Sequence, residues 1–249
     1  MATREEIIQR IREALGRPRD GSSVISESAL PSASPLVGIL PTIPPEELLP
    51  KFEAELTKVA GIAHRAANRE KLEEILETIL SHANATSVVL SRNPLLAELN
   101  LEPLLRTWGK GISVWHPSGP GGAPGVEDAS LRAFAEASFA ATVGFTGVEF
   151  ALAETGSLVV SSWTEGAQLA SLAPPVHVAL YRRSQLVASL DEVLQKLPMA
   201  GAPEQDVPGR SVVFITGTSR TADIEQILIR GVHGPGEVHA ILVEAACFA

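Results

Sequence analysis

The chain has 249 residues, 45% of them apolar, and a formal net charge of −9. This length and apolar content predict one compact α/β domain with appendages. Nucleic acid and anionic membrane surfaces are excluded as expected partners, because binding to phosphates needs clustered Lys and Arg and the charge here has the opposite sign.

Cysteine usage limits the metal chemistry of this chain. The sequence has one cysteine, Cys247. It therefore predicts no internal disulfide, and no iron–sulphur cluster or cysteine-type zinc site built from this chain alone. No window approaches the roughly 18 apolar residues that span a bilayer, and the N-terminal segment carries the charged residues Arg4, Glu5 and Glu6 with no apolar run behind them. We expect a cytoplasmic protein without a membrane span.

The first 45 residues differ in composition from the rest. Apolar residues at helical spacing predict a short amphipathic helix from Thr3 to Leu15, within a segment of residues 1–16. Residues 17–45 are rich in Ser, Pro and Gly, which favours a linker or an arm. Such an arm can dock on a partner or on a second copy of the chain in a homo-oligomer. Residues 46–249 then form the main domain.

Within that domain, residues 46–82 have a helical pattern that indicates two helices or one bent helix. Short apolar runs then alternate with helical segments at 94–105 and 127–140, which predicts a mostly parallel sheet flanked by helices. Residues 142–181 leave too little room for crossover helices, so we expect an antiparallel part or a side hairpin there. The predicted strands are 86–90, 112–115, 141–145, 157–161, 176–181, 212–216 and 238–243.

The stretch from Gly217 to Glu225 carries three hydroxyls, an arginine and two carboxylates directly after an apolar run. One interpretation is a helix start, with Thr218 or Ser219 as N-cap and Asp223 in the first turn. The apolar stripe of that helix would be Ile224, Ile227, Leu228 and Gly231.

The second interpretation of the same stretch is an anion site. A helix start at the carboxyl end of a parallel strand offers free N–H groups, the hydroxyls of Thr218, Ser219 and Thr221, and the guanidinium of Arg220. A single cap does not need three competing hydroxyls, and a cation is disfavoured at a helix N-terminus. These two points favour the anion site.

Two further stretches carry candidate chemistry. Glu149 and Glu154 fall among apolar neighbours, where burial raises a carboxyl pKa and produces a general base or nucleophile. The structural alternative is that they bond to turns. His233, in a Gly-Pro turn, is a candidate acid, base or ligand, or a backbone hydrogen-bonder. His233 and His239 lack the spacing of a metal motif, so no metal site is expected. Residues 119–125 resemble a phosphate loop only superficially and favour a flexible turn.

Four ordered motifs together are similar to the signature run of the lactate-utilisation protein C family. They are Gly147-Val-Glu-Phe-Ala-Leu-Ala-Glu-Thr-Gly-Ser-Leu-Val-Val, Leu172-Ala-Pro-Pro-Val-His-Val-Ala-Leu, Thr216-Gly-Thr-Ser-Arg-Thr-Ala-Asp-Ile-Glu and Gly231-Val-His-Gly-Pro-Gly-Glu-Val-His. One departure is Gln168, which stands where many members carry an arginine.

The resemblance implies a fold like that of ribose-phosphate isomerases, glucosamine-phosphate deaminases and coenzyme A transferases. It also implies one of three proteins encoded together for oxidation of L-lactate to pyruvate. Its companions are iron–sulphur proteins, so the clusters are expected on those partners and no cofactor on this chain.

The leading hypothesis is an accessory subunit of such a system, with a cleft for a small carboxylate or a phosphorylated ligand. The alternative is a stand-alone enzyme that acts on a sugar phosphate or an acyl-coenzyme A through Glu154 or Glu149. In the leading hypothesis Glu154 and His233 are the candidate catalytic residues. The predicted ligand-binding residues are Gly217, Thr218, Ser219, Arg220, Thr221, Asp223, Thr155, Gly156 and Ser157.

Overall fold

The computed structural model describes residues 4–14, 43–115, 126–166, 168–197, 211–222 and 228–248. The chain divides into two units, Met1–Pro41 and Thr42–Ala249. In the first unit, α1 spans Arg4–Ala14, within the segment for which the sequence predicts a helix. Most of the predicted arm and the Gly-rich stretch 119–125 lie outside the described residues.

Helices and strands alternate through the second unit. The helices are α2 Leu48–Lys58, α3 Arg69–His82, α4 Pro94–Glu98, α5 Leu101–Thr107, α6 Val126–Ala140, α7 Ser162–Glu165, α8 Leu169–Leu172 and α9 Leu190–Lys196. The strands are β1 Ile62–Ala66, β2 Ser87–Leu90, β3 Gly111–Val114, β4 Val143–Thr146, β5 Phe150–Leu152, β6 Ser157–Ser161, β7 Val176–Tyr181, β8 Leu186–Val187, β9 Val212–Ile215, β10 Arg220–Ala222, β11 Leu228–Arg230 and β12 Glu237–Val243. Short 3₁₀ turns occupy Pro45–Glu47, Arg183–Gln185 and Ala245–Phe248.

The main sheet is parallel, with strand order β1-β12-β7-β4-β2-β3. Alternate residues of each strand point to opposite faces, and both faces are covered by apolar groups. One face packs against α3, α4 and α5 through Leu90, Phe145 and Val178. The other face packs against α2 and the second sheet through Ala179 and Leu242. The predicted α/β fold with a mostly parallel sheet flanked by helices is confirmed.

A smaller sheet lies over the second face, with strand order β8-β5-β6-β9. β5 and β6 form an antiparallel hairpin, and β9 pairs antiparallel to β6. The prediction of an antiparallel side hairpin within residues 142–181 is therefore confirmed. The missed strand β8 has two residues and adds parallel to β5.

The two helices predicted within residues 46–82 are confirmed as α2 and α3, but the helical assignment of Ile62 and Ala63 is wrong, because these residues lie in β1 between the two helices. Ala60 takes a positive φ of 62° and ends α2. In β1, Ala63 then faces the core beside α2, whereas Ala66 faces the opposite core. Ile62 and Ala63 continue the helical spacing of Phe52 and Leu56, so pairing with β12 outweighs the local pattern.

The predicted helix after Gly217 is also wrong. The chain forms an antiparallel hairpin there, with Arg220 opposite Arg230 in β10 and β11. The hairpin is anchored at its base, because the Ser219 carbonyl accepts from Gly231 N at 3.0 Å and the Ser219 amide donates to Pro235 O at 2.8 Å. The predicted first-turn residue Asp223 lies outside the described residues.

The predicted single helix 94–105 is two helices, α4 and α5. Asn100 takes a left-handed conformation with φ 49° and separates them. Leu95 and Leu101 both remain buried in the core beside α3. No helix among the described residues has the length and apolar character needed to cross a membrane.

We predict that Gly144→Ala destabilises the fold. A Cβ at Gly144 in β4 would lie 1.8 Å from the carbonyl oxygen of Ala170, so α8 would have to move off the sheet. We expect the free energy of unfolding to fall by about 1–3 kcal/mol. Urea denaturation measures this. Gly111→Ala in β3 is the matched control, since its Cβ would have ordinary contact at 3.6 Å from Thr86 O. Equal stability of the two variants would contradict the close approach of α8.

We also predict acid sensitivity from histidines that are buried in the neutral form. Burial lowers the pKa of His64 to about 4 and that of His177 to about 3. The unfolded chain gains these protons below about pH 6.5, whereas the folded chain does not. Stability is therefore full above that pH and falls as pH decreases towards the folded pKa.

His177→Gln tests this acid sensitivity. Removing His177 should reduce the slope of unfolding free energy against pH by about 1.4 kcal/mol per pH unit between roughly pH 6.5 and 5. Denaturation curves over that range measure the slope, and His233→Gln, at an exposed histidine, is the control. A His177→Gln slope equal to that of the wild type would refute the prediction.

Candidate functional site

A crevice opens at the carboxyl edge of the main sheet, between β2 and β4. These strands are neighbours, but the chain leaves β2 towards α4 on one face and leaves β4 towards the small sheet on the other. Loops that diverge in this way leave a gap at the topological switch point, where open α/β sheets bind ligands. The residues that follow β2 and β4 therefore border the candidate site.

A buried carboxyl group, Glu165, lies at the base of this gap. Glu165 is fully buried at the end of α7. It accepts hydrogen bonds from the Ser91 hydroxyl and the Asn93 side-chain amide, which follow β2, and from the Gly147 amide at 3.1 Å, which follows β4. Burial raises the pKa of Glu165, and its three hydrogen bonds oppose that rise. One side chain thus joins both loops of the switch point.

Close contact between the two loops requires a glycine at position 147. A Cβ there would lie 2.2 Å from the Cγ of Asn93. Asn93 is itself fixed, because its Oδ1 accepts from Leu95 N at 2.9 Å and caps α4. Asn93 therefore links the start of α4 to Glu165.

A second carboxylate, Glu149, lines the crevice. Its Oε2 accepts from Ser161 Oγ at 3.0 Å and from Thr164 Oγ1 at 3.1 Å. Glu149 is partly exposed, in contrast to Glu165. Among the two carboxylates that the sequence offered as bases, Glu149 is the one that reaches this cavity.

The crevice itself has a volume of about 270 Å³. We call this cavity the switch-point crevice; its lining is Asn93, Pro94, Leu95, Glu98, Val148, Glu149, Thr164, Arg182, Ser184 and Gln185. Its size suits a molecule smaller than the drug-sized ligands that fill pockets of roughly 300–1,000 Å³. A neighbouring cavity of about 340 Å³ shares Asn93 and includes Leu96, Leu101 and Trp115. Charged groups of both signs converge in the switch-point crevice, so we take it as the candidate site.

Arg182 supplies the cation of the crevice. Its Nη2 pairs with the carboxylate of Glu98, whose side chain is 51% exposed. Its Nε is buried and has no hydrogen-bond partner among the described residues. The guanidinium carbon lies 4.7 Å from the centre of the Phe248 ring, which holds the group in a cation–π contact.

Glu154, the other predicted base, lies elsewhere. It is exposed, and its Oε2 accepts from Leu190 N at 3.2 Å, at the start of α9. A carboxylate at a helix N-terminus stabilises the exposed N–H groups there. This contact matches the structural alternative given for Glu154.

The predicted residues Thr155, Gly156 and Ser157 lie on the β5–β6 turn. The Ser157 hydroxyl is 2.7 Å from the Thr155 hydroxyl and 2.7 Å from the Thr216 hydroxyl. Gly156 packs against the backbone of α2. The structure thus brings this turn next to the start of the 217–221 stretch, as a network of hydroxyls that bond to one another.

The stretch Gly217–Thr221 lacks the helix start on which its anion-site prediction relied. The Thr218 amide donates to Val59 O at 3.3 Å, and the Ser219 amide donates to Pro235 O at 2.8 Å. The Thr218 hydroxyl is buried without a partner among the described residues. Arg220 is exposed in β10, and Thr221 pairs with Ile229. Two of the amides expected to face a ligand are therefore already bonded to protein.

The histidines separate into different environments. His233 is exposed in the turn before β12. The His239 ring is 2.9 Å from His64 Nε2 through Nδ1 and 2.7 Å from Glu237 Oε1 through Nε2. Both of its ring nitrogens are thus partnered by protein groups. Within the part of the chain that the structure describes, no group of three or more His, Cys, Asp or Glu side chains is arranged to hold a metal.

Gln168, where the resemblance led us to expect an arginine, ties β6 to β9. Its amide donates to Val160 O at 3.0 Å, and its oxygen accepts from Ser211 Oγ at 2.6 Å. Its three hydrogen bonds to β6 and to the residue before β9 give the glutamine a structural role at this position.

Sequence reasoning missed Ser91, Asn93, Arg182 and Glu165. The first three follow β2 and β7, and the rule that ligands bind beyond the carboxyl ends of parallel strands points to them. Glu165 follows β6 of the small antiparallel sheet, so no such rule finds it. Its position becomes evident only from the way the small sheet folds over the main one.

Comparison with known proteins identifies the family. The sequence pattern of the LUD domain matches residues 49–243. The chain is 26% identical over 242 residues to lactate utilization protein C of Halalkalibacterium halodurans, which covers 97% of each chain. It is 28% identical to lactate utilization protein C of Bacillus subtilis, over 96% of this chain and 95% of that protein.

A solved structure supports the same assignment at the level of the fold. The crystal structure of a DUF162 family protein from Deinococcus radiodurans superposes with a TM-score of 0.51 and 19% identity. The match covers 82% of this chain and 100% of that chain. The resemblance inferred from the four sequence motifs is thus confirmed, and the chain belongs to the LUD domain family.

Proposed function

We propose that this chain is a subunit of a cytoplasmic system that oxidises L-lactate to pyruvate, and that it binds a small carboxylate in the switch-point crevice. The names of its relatives, lactate utilization protein C, support the role in lactate utilisation. The observation that carries the binding site is Arg182, a cation in the crevice whose Nε has no hydrogen-bond partner among the described residues.

The side chain of Arg182 suits a carboxylate better than its present partner does. A buried donor without an acceptor costs about 1–3 kcal/mol. A ligand carboxylate can accept from Nε and Nη2 together in the two-bond geometry that arginine favours. It would displace the half-exposed Glu98 from Nη2. That loss is small, since exposed ion pairs contribute about 0–1 kcal/mol.

Glu149 is placed to recognise the hydroxyl of a 2-hydroxy acid. Its Oε2 is already bonded to two protein hydroxyls, so a ligand hydroxyl would use the remaining acceptor capacity of the carboxylate. The crevice would then bind lactate at two groups. Arg182 would bind the carboxylate, and Glu149 would accept a hydrogen bond from the hydroxyl.

The electrons of the oxidation go to partner proteins in this proposal. This chain has one cysteine, Cys247, which is buried and whose thiol lies 3.2 Å from Ala66 O. A cluster of the Cys₄ type therefore has to be held by iron–sulphur partners. Mixtures of this chain with those partners should form a complex that is detectable by co-purification.

We predict that Arg182→Ala weakens binding of L-lactate about tenfold to a hundredfold, because a hydrogen bond to a charged group contributes about 1.5–3 kcal/mol. Isothermal titration calorimetry with L-lactate, and separately with inorganic phosphate, measures this. Arg106→Ala removes an exposed arginine paired within α5 and is the matched control.

Binding measured with Arg220→Ala distinguishes the two candidate positions of the anion, the switch-point crevice and the β10 hairpin. Loss of binding in Arg220→Ala with full binding in Arg182→Ala would return the site to the β10 hairpin. Binding that is the same in both variants and in wild type would remove arginine recognition from the proposal.

We predict that Glu149→Gln reduces the preference for L-lactate over propanoate, which has the same carboxylate but no hydroxyl. The reason is that a neutral amide oxygen accepts the lactate hydroxyl less strongly than a carboxylate does. Competition binding measures the ratio of the two affinities. Glu102→Gln on the surface of α5 is the control. A reduced ratio in Glu154→Gln, with an unchanged ratio in Glu149→Gln, would assign the role to Glu154 instead.

A further inference from the structure

Two carboxyl groups of unlike environment are connected through one hydroxyl at the switch point. Thr164 Oγ1 lies 3.1 Å from Glu149 Oε2 and 3.5 Å from Glu165 Oε1. Ser161 Oγ offers a second branch, 2.9 Å from Thr164 Oγ1 and 3.0 Å from Glu149 Oε2. Both branches pass through Thr164, so this hydroxyl is the common connection between the interior and the crevice.

The two ends of the connection differ in their contact with solvent. Glu165 is fully buried, whereas Glu149 is partly exposed and lines the crevice. Burial raises the pKa of Glu165, and the charge of Glu149 adds to that rise. Paired carboxyls whose environments differ in this way commonly divide the roles of acid and base. Burial therefore favours the protonated form of Glu165.

The positively charged groups near the two carboxyls bond to other partners. Arg92, next to Asn93, directs its guanidinium to Trp163 O at 2.9 Å instead of to either carboxylate. Across the crevice, Arg182 pairs with Glu98. Among the described residues, no cation is bonded to Glu149 or Glu165. No bonded positive charge among the described residues therefore favours the ionised form of Glu165.

We propose that Glu165, Thr164 and Glu149 form a proton relay that holds one proton and delivers it between the protein interior and the switch-point crevice. In the outward step, the Glu165 carboxyl gives its proton to Thr164 Oγ1, and the Thr164 hydroxyl gives its own proton to Glu149 Oε2. Glu165 becomes a carboxylate, which the Ser91, Asn93 and Gly147 donors stabilise. Glu149 becomes a neutral acid. The inward step is the reverse, with the same atoms.

The relay adds a proton-holding step to the proposed function, and its role in lactate oxidation rests on that function. Oxidation of a 2-hydroxy acid releases the proton of the hydroxyl group, and Glu149 is the group placed beside that hydroxyl. Because the single proton of the pair is held on Glu165, Glu149 stays a carboxylate that can accept the hydroxyl proton, which it then passes to solvent in the crevice. Glu165 is a positioning and proton-holding residue in this scheme, since it does not line the crevice.

Infrared spectroscopy of the ligand-free full chain tests the relay. Wild-type protein at neutral pH should show the C=O stretch of a protonated carboxyl group, and Glu165→Gln should lose that band. On transfer to D₂O, the band shifts as deuterium replaces the proton. Thr164→Val removes the hydroxyl with little change of shape, and it should slow this shift about tenfold or more. Thr164→Ser keeps a hydroxyl and should exchange as fast as wild type.

The direction of the change separates a relay from a structural role. A variant that merely loosened the fold would exchange faster, because local opening exposes buried groups to solvent. Thr78→Val on the exposed face of α3, where the hydroxyl bonds to Glu74 O, is the matched control. Absence of the carboxyl band in wild type, or an unchanged exchange rate in Thr164→Val, would overturn the relay.

The infrared experiment tests the relay, and the binding experiments test the proposed ligand, so each proposal can be refuted without the other. Slow exchange in Thr164→Val, together with no L-lactate binding to wild type, would leave the relay standing and refute the proposed ligand. Binding that depends on Arg182, with exchange unchanged in Thr164→Val, would keep the proposed function and refute the relay.

Discussion

The architecture of this LUD domain depends on one buried carboxyl group. Glu165 is brought from the end of the small sheet by α7 and bonds to the loops after both β2 and β4 of the main sheet. Parallel strands whose connections diverge leave a gap, and unpaired polar groups in such a gap are costly. The three hydrogen bonds to Glu165 satisfy those groups and fix the width of the crevice. The small sheet is therefore part of the site as well as a cover for the core.

The sequence was informative where local pattern and tertiary environment agree. Runs such as Val176–Tyr181 are apolar throughout because both faces of a parallel strand are buried, and this identifies them as strands. The predicted strands after Thr142 are too close in sequence for crossover helices between them, and this predicted the β5–β6 hairpin. The expectations about partners and cofactors that come from the acidic charge and the single cysteine stay predictions.

The same reasoning failed where distant contacts outweigh local pattern. Ile62 continues a helical stripe, yet β1 forms because β12 offers it a partner. The polar stretch after Ile215 has the composition of a helix start, yet its amides donate to Val59, which lies far away in the chain, and to Pro235, which follows the β10–β11 hairpin. The candidate site that we propose was not found from the sequence for the same reason. Dense polarity at residues 217–221 is visible in one window of sequence, whereas Asn93, Glu149, Glu165 and Arg182 meet only through the fold.

The position of β12 has a consequence for how the chain folds during synthesis. β1 pairs, among the described residues, only with β12, and the bonded rings of His64 and His239 are 175 positions apart. β12 lies between β1 and β7 in the sheet. Until β12 leaves the ribosome, these two strands have no strand between them to pair with. Contact between residues so far apart in the chain forms slowly. The partly folded intermediate meanwhile exposes the unpaired edges of β1 and β7. The edges of β1 and β7 in the nascent chain are therefore open to wrong strand pairing until β12 is synthesised.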